Sequence, residues 1–239
     1  MRMNRATAPT DPEAQAALFE AGASIAALRP TPKDPSLVGV VVGRKRVGVV
    51  DAGELDALGL RVGAAWRPEL AARVARAGAA AKAHRFMLRS LGARAQSRGM
   101  VLDRLRRKGF DDDAARAAVE RLERAGLIDD EAFAHAMART VLSRGPVGVR
   151  RLQQTLLAKR LDRDLADRVA REALADRDGS DDALALARRR ARSLPASLDE
   201  RAASRRIYAY LARRGFEADA CAHAVRTALR TDPDAPGDD

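Results

Sequence analysis

Three short basic segments recur along the chain where helices are expected to end. They are Leu105–Phe110, Leu156–Leu161 and Leu211–Phe216, and each combines two or three Lys or Arg residues with an apolar residue in its last position. Guanidinium and ammonium groups form charge-assisted hydrogen bonds with phosphates and carboxylates. The chemistry that these segments offer is therefore the binding of an anionic partner, either a nucleic acid or an acidic protein surface.

Residue types that could catalyse a reaction are present but are not arranged for catalysis. His84, His135 and His223 lie far apart and form no His-Glu-x-x-His motif, and no phosphate-binding glycine loop is found. Cys221 falls within the last predicted helix, where it fits a small buried apolar residue. The acidic run Asp129–Glu131 could suggest a metal site, but helix capping explains it better. We therefore expect a protein that is not an enzyme and that needs no metal and no cofactor.

Composition and charge exclude several classes of protein. The chain has 239 residues, 44 Lys and Arg against 33 Asp and Glu, a net charge of +11 and one cysteine. A single cysteine excludes an internal disulfide framework and a cysteine-based zinc finger. The sequence also lacks the ~18-residue apolar stretch of a membrane span and the apolar segment of a signal peptide. These features predict a soluble cytoplasmic protein with an anionic partner.

The three basic segments mark an internal repeat. Phe110, Leu161 and Phe216 follow one another at intervals of 51 and 55 residues, and each segment stands between predicted helices. Each unit is a helix, a second helix with a basic end, a sharp turn and a third helix. The prediction is a mainly α-helical protein with three tandem three-helix units, at about 79–128, 129–180 and 181–230.

The sharp turn has a recognisable chemistry. Gly109 and Gly215 fit the left-handed backbone position that ends a helix, and the following Phe or Leu is expected to anchor the turn in the core. Arg160 stands at the corresponding position of the second unit. Either this arginine is left-handed, at a cost of about 1 kcal/mol, or the second turn has a different local geometry. Ser97, Asp111 and Asp129 are predicted N-caps of the helices that follow them.

The two ends of the chain differ from the repeats. Residues 1–36 are rich in Thr, Pro and Asp and predict a disordered leader. Residues 37–68 predict a small β-containing unit, because two valine-rich runs flank a short glycine-containing polar loop, as in a β-hairpin. Residues 69–230 form the helical repeat domain, and 231–239 predict an acidic disordered tail.

Four blocks of residues, taken in order, resemble the RecX family of recombinase regulators. They are 106–110 (RRKGF), 125–133 (AGLIDDEAF), Gly145-Pro146 together with Arg151-Leu152, and 210–216 (YLARRGF). The resemblance extends from residue 79 to about residue 230, and the valine-rich hairpin resembles an N-terminal extension that some members carry. In the second unit, LAKRL stands where the family usually has Lys-Gly followed by Ile.

The resemblance implies both a fold and a function. RecX proteins are tandem three-helix repeats in an elongated, curved array. They bind the RecA recombinase along its filament on single-stranded DNA, limit filament growth, and so reduce ATP hydrolysis and strand exchange in recombination and DNA repair. They are not enzymes, and some bind DNA directly. We therefore expect a RecA filament partner, single-stranded and double-stranded DNA as further ligands, no membrane, no small-molecule substrate and a monomer.

The candidate binding residues are the basic side chains near the ends of the second helices and in the clusters between them. We call these fourteen residues the cationic set: Arg106, Arg107, Lys108, Arg150, Arg151, Lys159, Arg188, Arg189, Arg190, Arg192, Arg205, Arg206, Arg213 and Arg214. Two other functions stay open. One is a stand-alone nonspecific DNA-binding protein. The other is a helical-repeat scaffold for a different acidic protein.

Overall fold

A small antiparallel sheet precedes a run of nine α-helices in the residues that the structure describes. The computed structural model describes residues 22–90 and 95–230. The sheet contains β1 (Ile25–Thr31), β2 (Asp34–Val42) and β3 (Lys45–Asp51) and leads into a short 3-10 helix, Ala52–Glu54. The helices are α1 (Pro68–Leu88), α2 (Arg98–Arg107), α3 (Asp112–Arg124), α4 (Asp130–Leu142), α5 (Val149–Leu157), α6 (Arg163–Glu172), α7 (Gly179–Arg192), α8 (Glu200–Arg213) and α9 (Ala218–Arg230). The predicted mainly α-helical class with tandem three-helix units is confirmed.

The predicted leader is wrong over part of its length, because β1 and the start of β2 lie within residues 22–36. The hairpin is thus a three-stranded sheet in the order β1-β2-β3. Prolines suggested disorder, but β1 is an edge strand, where Pro30 can pair with Val38 without interrupting a central ladder. The leader's first 21 residues and the predicted tail, 231–239, lie outside the described residues.

The sheet packs against α1. Val40, Val42 and Val50 are fully buried, in a core that they share with Trp66 and Val74. The burial of these apolar side chains against a helix gives the sheet the support that an isolated hairpin lacks. The valine-rich segment therefore docks on the first helix of the repeats.

Local signals begin most of the helices. Ser97 accepts a hydrogen bond from the amide of Met100 at 3.2 Å, and Asp111 and Asp129 cap α3 and α4, as predicted. The carboxylate of Asp178 caps α7 by accepting hydrogen bonds from the amides of residues 180 and 181.

The three sharp turns share a left-handed residue. The φ angle is 83° at Gly109 and at Gly215, and it is 59° at Arg160. Arg160 is the one non-glycine residue with a positive φ in the described chain. The first alternative is therefore correct: the second turn keeps the repeat geometry at a cost of about 1 kcal/mol.

The apolar residues after these turns are buried to different degrees. Leu161 and Phe216 are buried in the cores of their units. Phe110 is only half-buried, so the expectation of a core anchor is wrong for the first turn. Its ring packs against Phe86 instead, with the ring centroids 5.9 Å apart.

The chain divides into two compact units. One contains residues 22–90 and 101–127 of the described chain, so the sheet shares a unit with α1 and α3. The other contains residues 95–100 and 128–230, which include the second and third three-helix units and the first turn of α2. Each of the last two three-helix units has its own apolar core.

Candidate partner-binding surface

Nine side chains of the cationic set have no ion pair, side-chain hydrogen bond or ring contact within residues 22–90 and 95–230. Eight of them are exposed, and Lys159 is half-buried. We call these nine the open cations: Arg107, Arg151, Lys159, Arg188, Arg189, Arg192, Arg205, Arg206 and Arg213. Because no neighbour in the described chain neutralises them, their charges are available to an anionic partner.

Two other arginines of the set are held in ion pairs. The Nε of Arg106 donates to the carboxylate of Asp112 at 2.7 Å, and this contact holds the pKa of Asp112 below its usual value. The Nη2 of Arg150 lies 2.9 Å from Glu217. Both pairs are exposed to solvent, where an ion pair is worth about 0–1 kcal/mol.

The last three members of the set contact aromatic rings. Arg190 and Arg214 lie 5.8 and 5.4 Å from the ring centroid of Tyr210. Arg214 also donates to the carbonyl oxygen of Pro146 at 3.1 Å. Lys108 lies 5.9 Å from the ring of Phe86. These cation–π contacts direct the three charges toward the protein itself.

At four places an arginine with an internal contact is adjacent in sequence to an open arginine. Neighbouring residues on a helix do not face each other, so one side chain can contact the protein while the next faces solvent. There are four such neighbours. In each case the arginine with the internal contact is named first: Arg106 with Arg107, Arg150 with Arg151, Arg190 with Arg189, and Arg214 with Arg213. In these four pairs, each open arginine has a neighbour of identical charge with an internal contact.

The end of α8 meets the start of α5. The amide of Gly148 donates to the carbonyl oxygen of Arg214 at 2.9 Å. A Cβ at Gly148 would overlap the carbonyl of Gly215, and one at Gly215 would overlap the backbone nitrogen of Arg151. The two glycines therefore allow the backbones of the third and second three-helix units to touch.

The end of α5 meets the start of α2 in a similar way. The hydroxyl of Ser97 donates to the carbonyl oxygen of Lys159, and Gly99 lies against the carbonyl of Arg160. The partners lie within the second compact unit. Open cations therefore sit at both contacts between helix ends: Lys159 at the α5–α2 contact, and Arg151 and Arg213 at the α8–α5 contact.

The acidic run before α4 has a structural role. Asp129 caps the helix, and the carboxylate of Asp130 accepts a hydrogen bond from the amide of Arg98 at 2.7 Å. Burial raises the pKa of Asp130, and this hydrogen bond opposes that rise. Glu131 accepts two hydrogen bonds from Arg168, which hold the pKa of Glu131 low. These contacts agree with helix capping as the explanation of the run.

The remaining reactive residues form no common site. Burial lowers the pKa of His84 and raises the pKa of Cys221, which is fully buried. Within the described residues, no group of three or more His, Cys, Asp or Glu side chains could hold a metal ion. In the same part of the chain, no helix has the length and apolar character needed to cross a membrane.

Sequence reasoning missed one basic groove. It lies between the first turns of α8 and the last turns of α9, has a volume of about 550 Å³, and contains four arginines. Only one of the four belongs to the cationic set. The residues that line the groove are Glu200, Arg201, Ser204, Arg205, Val225, Arg226, Leu229 and Arg230. Two pairs of arginines at i and i+4 were the available signal, because residues at that spacing share one face of a helix.

Three family models match the chain in order. The first, second and third three-helix domains of RecX match residues 83–122, 129–169 and 178–225. The regulatory protein RecX of Chlorobaculum tepidum is 31% identical over 142 residues, which cover 59% of this chain and 85% of that protein. That of Chlorobium phaeobacteroides is 32% identical over 148 residues, which cover 62% and 91% of the two chains.

Solved structures share the fold. A crystal structure of regulatory protein RecX superposes with a TM-score of 0.63 at 22% identity and covers 83% of this chain and 96% of that one. The structure of RecX from Lactobacillus salivarius has a TM-score of 0.52 at 21% identity and covers 63% and 97% of the two chains. The matching domains, their order and the shared fold lead to one assignment. The chain belongs to the RecX family of regulatory proteins.

Proposed function

We propose that this chain is a non-enzymatic, cytoplasmic regulator of homologous recombination and DNA repair that binds the RecA filament on single-stranded DNA. It inhibits filament growth, and with it ATP hydrolysis and strand exchange. The observation that carries this proposal is the match of all three RecX three-helix domains, in order, over residues 83–225. The open cations support it, because a filament of protein and DNA offers both carboxylates and phosphates.

The contacts between helix ends give the proposal its mechanism. Lys159, Arg151 and Arg213 stand where one three-helix unit touches the next, and backbone contacts hold these places in position. Cations on rigid elements lose little conformational freedom when they bind, so more of their interaction energy appears as affinity. A repeat protein with cations at successive contacts can engage successive subunits of a filament, and bridged subunits resist further growth.

The nine open cations are the proposed contact residues, and the other five have a supporting role. An anionic partner gains a new charge pair at an open cation. At Arg106 or Arg150 it must first compete with a carboxylate of the protein itself. At Arg190 and Arg214 it must compete with the ring of Tyr210.

The test is an ATPase assay of RecA on circular single-stranded DNA with increasing amounts of the purified chain. We expect the rate to fall at substoichiometric amounts, because a bound regulator stops the addition of many further subunits. An unchanged rate at equimolar protein would overturn the proposal. Electron microscopy of the same samples should show shorter filaments.

A second candidate is nonspecific DNA binding without a recombinase. The observation in its favour is the basic excess over residues 79–230, which hold 33 Lys and Arg against 21 Asp and Glu. This function predicts strong binding to an oligonucleotide alone, with an affinity that falls steeply as salt rises, because released counterions drive such binding. A slope near zero in a plot of log affinity against log salt would eliminate it.

A further inference from the structure

The groove between α8 and α9 brings four positive charges together. Arg201 and Arg205 line it from α8, and Arg226 and Arg230 line it from α9. All four arginines are exposed, and none of them has an ion pair or side-chain hydrogen bond within residues 22–90 and 95–230. Glu200 is the one carboxylate among the lining residues. The groove therefore presents four positive charges against one negative charge.

These positive charges repel one another when no anion lies between them. On each helix the two arginines are four residues apart, a spacing at which the Cβ atoms are separated by about 5–6 Å and like charges destabilise the helix. An anion with several negative charges replaces this repulsion with attraction. A guanidinium group binds a phosphate through two parallel hydrogen bonds. The groove is therefore suited to a ligand that carries more than one phosphate.

The basic surface does not continue along the two helices. Residues three, four and seven positions apart share one face of a helix. The face of α8 that carries Arg205 continues with Tyr208, and the face of α9 that carries Arg226 continues with His223 and Asp219. Proteins that bind a single nucleic-acid strand do so along a basic groove that follows its backbone. A positive charge that is confined to about two turns of each helix favours a compact polyanion instead.

The size and the lining of the groove suit a small molecule. Its volume of about 550 Å³ lies within the range of roughly 300–1,000 Å³ that is typical of small-molecule sites. Between the charged side chains, Ser204 provides a hydroxyl group, and Val225 and Leu229 provide an apolar part of the lining. This combination fits a ligand that has both phosphates and a less polar portion.

An exposed aromatic side chain lies on the same face of α8 as the groove. Tyr208 is 39% exposed and follows Arg205 by three residues, which is about one helical turn. Tyr210 differs, because Arg190 and Arg214 contact its ring. Nucleic-acid bases stack on exposed aromatic side chains with little dependence on the base. Tyr208 can therefore hold the base of a nucleotide whose phosphates lie between the arginines.

We propose that the α8–α9 groove binds a nucleoside polyphosphate. The four arginines bind the phosphates, and the ring of Tyr208 stacks on the base. This site goes beyond the proposed function and does not depend on it, since it requires only α8 and α9. Arg205 belongs both to the groove and to the open cations, so a bound nucleotide removes one of the charges that are available to a larger anionic partner.

Isothermal titration calorimetry of the full chain with ATP tests the site. The buffer has low salt and no Mg²⁺, because salt screens exposed charges and Mg²⁺ binds phosphates. In the groove variant Arg201, Arg205, Arg226 and Arg230 are replaced by Gln. We expect this variant to bind ATP at least about tenfold more weakly than the parent, because the charge-assisted hydrogen bonds to the phosphates are lost.

A matched control separates the groove from the net charge. It replaces by Gln four exposed arginines that have no ion pair in the part of the chain that the structure describes: Arg61, Arg139, Arg144 and Arg163. The control has the same net charge as the groove variant, and we expect its affinity for ATP to fall by less than about twofold. Equal losses in the two variants would overturn the proposal.

The role of Tyr208 is tested by comparing ATP with inorganic tripolyphosphate, which has no base. Tyr208→Ala should weaken the binding of ATP by about fivefold or more and leave the binding of tripolyphosphate unchanged, whereas Tyr208→Phe should keep the affinity for ATP. Equal losses for both ligands would contradict stacking on the base. If the binding of oligo(dT) requires the four arginines and the binding of ATP does not, the groove binds a strand and the proposal is wrong.

NMR of the parent chain locates the site without any substitution. Addition of ATP should shift the amide signals of Ser204, Arg205 and Arg226 more than those of the other basic helix ends. Shifts of equal size at Arg107, Arg151 and the groove residues would show that ATP binds to exposed cations in general, and they would overturn the proposal.

Discussion

The hydroxyl of Ser97 donates a hydrogen bond to the backbone carbonyl of Lys159, 62 residues further along the chain. Ser97 is fully buried, and its oxygen also accepts a hydrogen bond from the amide of Met100. One side chain therefore caps the start of α2 and also donates to a backbone carbonyl at the end of α5. This hydrogen bond joins the start of α2 to the end of α5.

Replacement of Ser97 by Ala removes both contacts. We expect the free energy of unfolding to fall by about 1–3 kcal/mol, because both the cap and the hydrogen bond to the carbonyl of Lys159 are lost. Urea denaturation followed by circular dichroism measures the loss. Ser143→Ala is the matched control, since that exposed hydroxyl bonds only one turn back to Thr140, and its effect should stay below about 0.5 kcal/mol. Equal effects of the two changes would contradict the role of Ser97.

The two turn glycines differ in what surrounds them. Gly109 has open space around its Cα, whereas a Cβ at Gly215 would overlap the backbone of Arg151. Gly109→Ala should cost about 1 kcal/mol, from the left-handed conformation alone. Gly215→Ala should cost about 1–3 kcal/mol more, because the α8–α5 contact must separate. Thermal or urea denaturation of both variants checks the order, and equal costs would show that the close approach adds nothing.

The left-handed arginine offers a stabilising change. Arg160→Gly should raise the free energy of unfolding by about 1 kcal/mol, since glycine adopts a φ of 59° without the steric cost. The same change at Arg139, an exposed residue in the last turn of α4, should lower it by about 1 kcal/mol, because glycine disfavours a helix. A loss of stability in both variants would contradict the assigned strain.

The adjacent arginines give a sharp test of the proposed surface. One variant replaces the open residues Arg107, Arg151, Arg189 and Arg213 by Gln, and the other replaces their paired neighbours Arg106, Arg150, Arg190 and Arg214. Both remove the same charge from the same helices. We expect the first variant to weaken inhibition of RecA by about tenfold or more, because four charge-assisted contacts are lost. The midpoint of the ATPase titration measures this change.

The second of these variants serves as the control. It should keep most of the inhibition but unfold at lower urea concentrations, because the contacts of Arg190 and Arg214 with Tyr210 are lost. If the two variants inhibit equally well, the division between open and paired cations has no functional meaning. The open cations would then no longer be assigned to the proposed contact surface.

Local chemistry made much of the fold predictable. Asp111 and Asp129 cap the helices that the sequence assigned to them, and Gly109 and Gly215 end helices in the predicted conformation. These signals are readable because an N-cap and a left-handed turn involve residues only a few positions apart. The internal repeat was predictable because the same turn signals recur at intervals of about fifty residues.

Contacts between residues far apart in sequence could not be predicted, because no local signal marks them. Strand β1 was missed because its hydrogen bonds go to β2 and its prolines resemble those of a disordered segment. The sequence alone determined the helical units, their order and the total basic charge of the protein. Only the tertiary structure decided which cations are open, because the partners of Arg150 and Arg214 lie 67 and 68 residues away. No local rule encodes a pairing over such a separation.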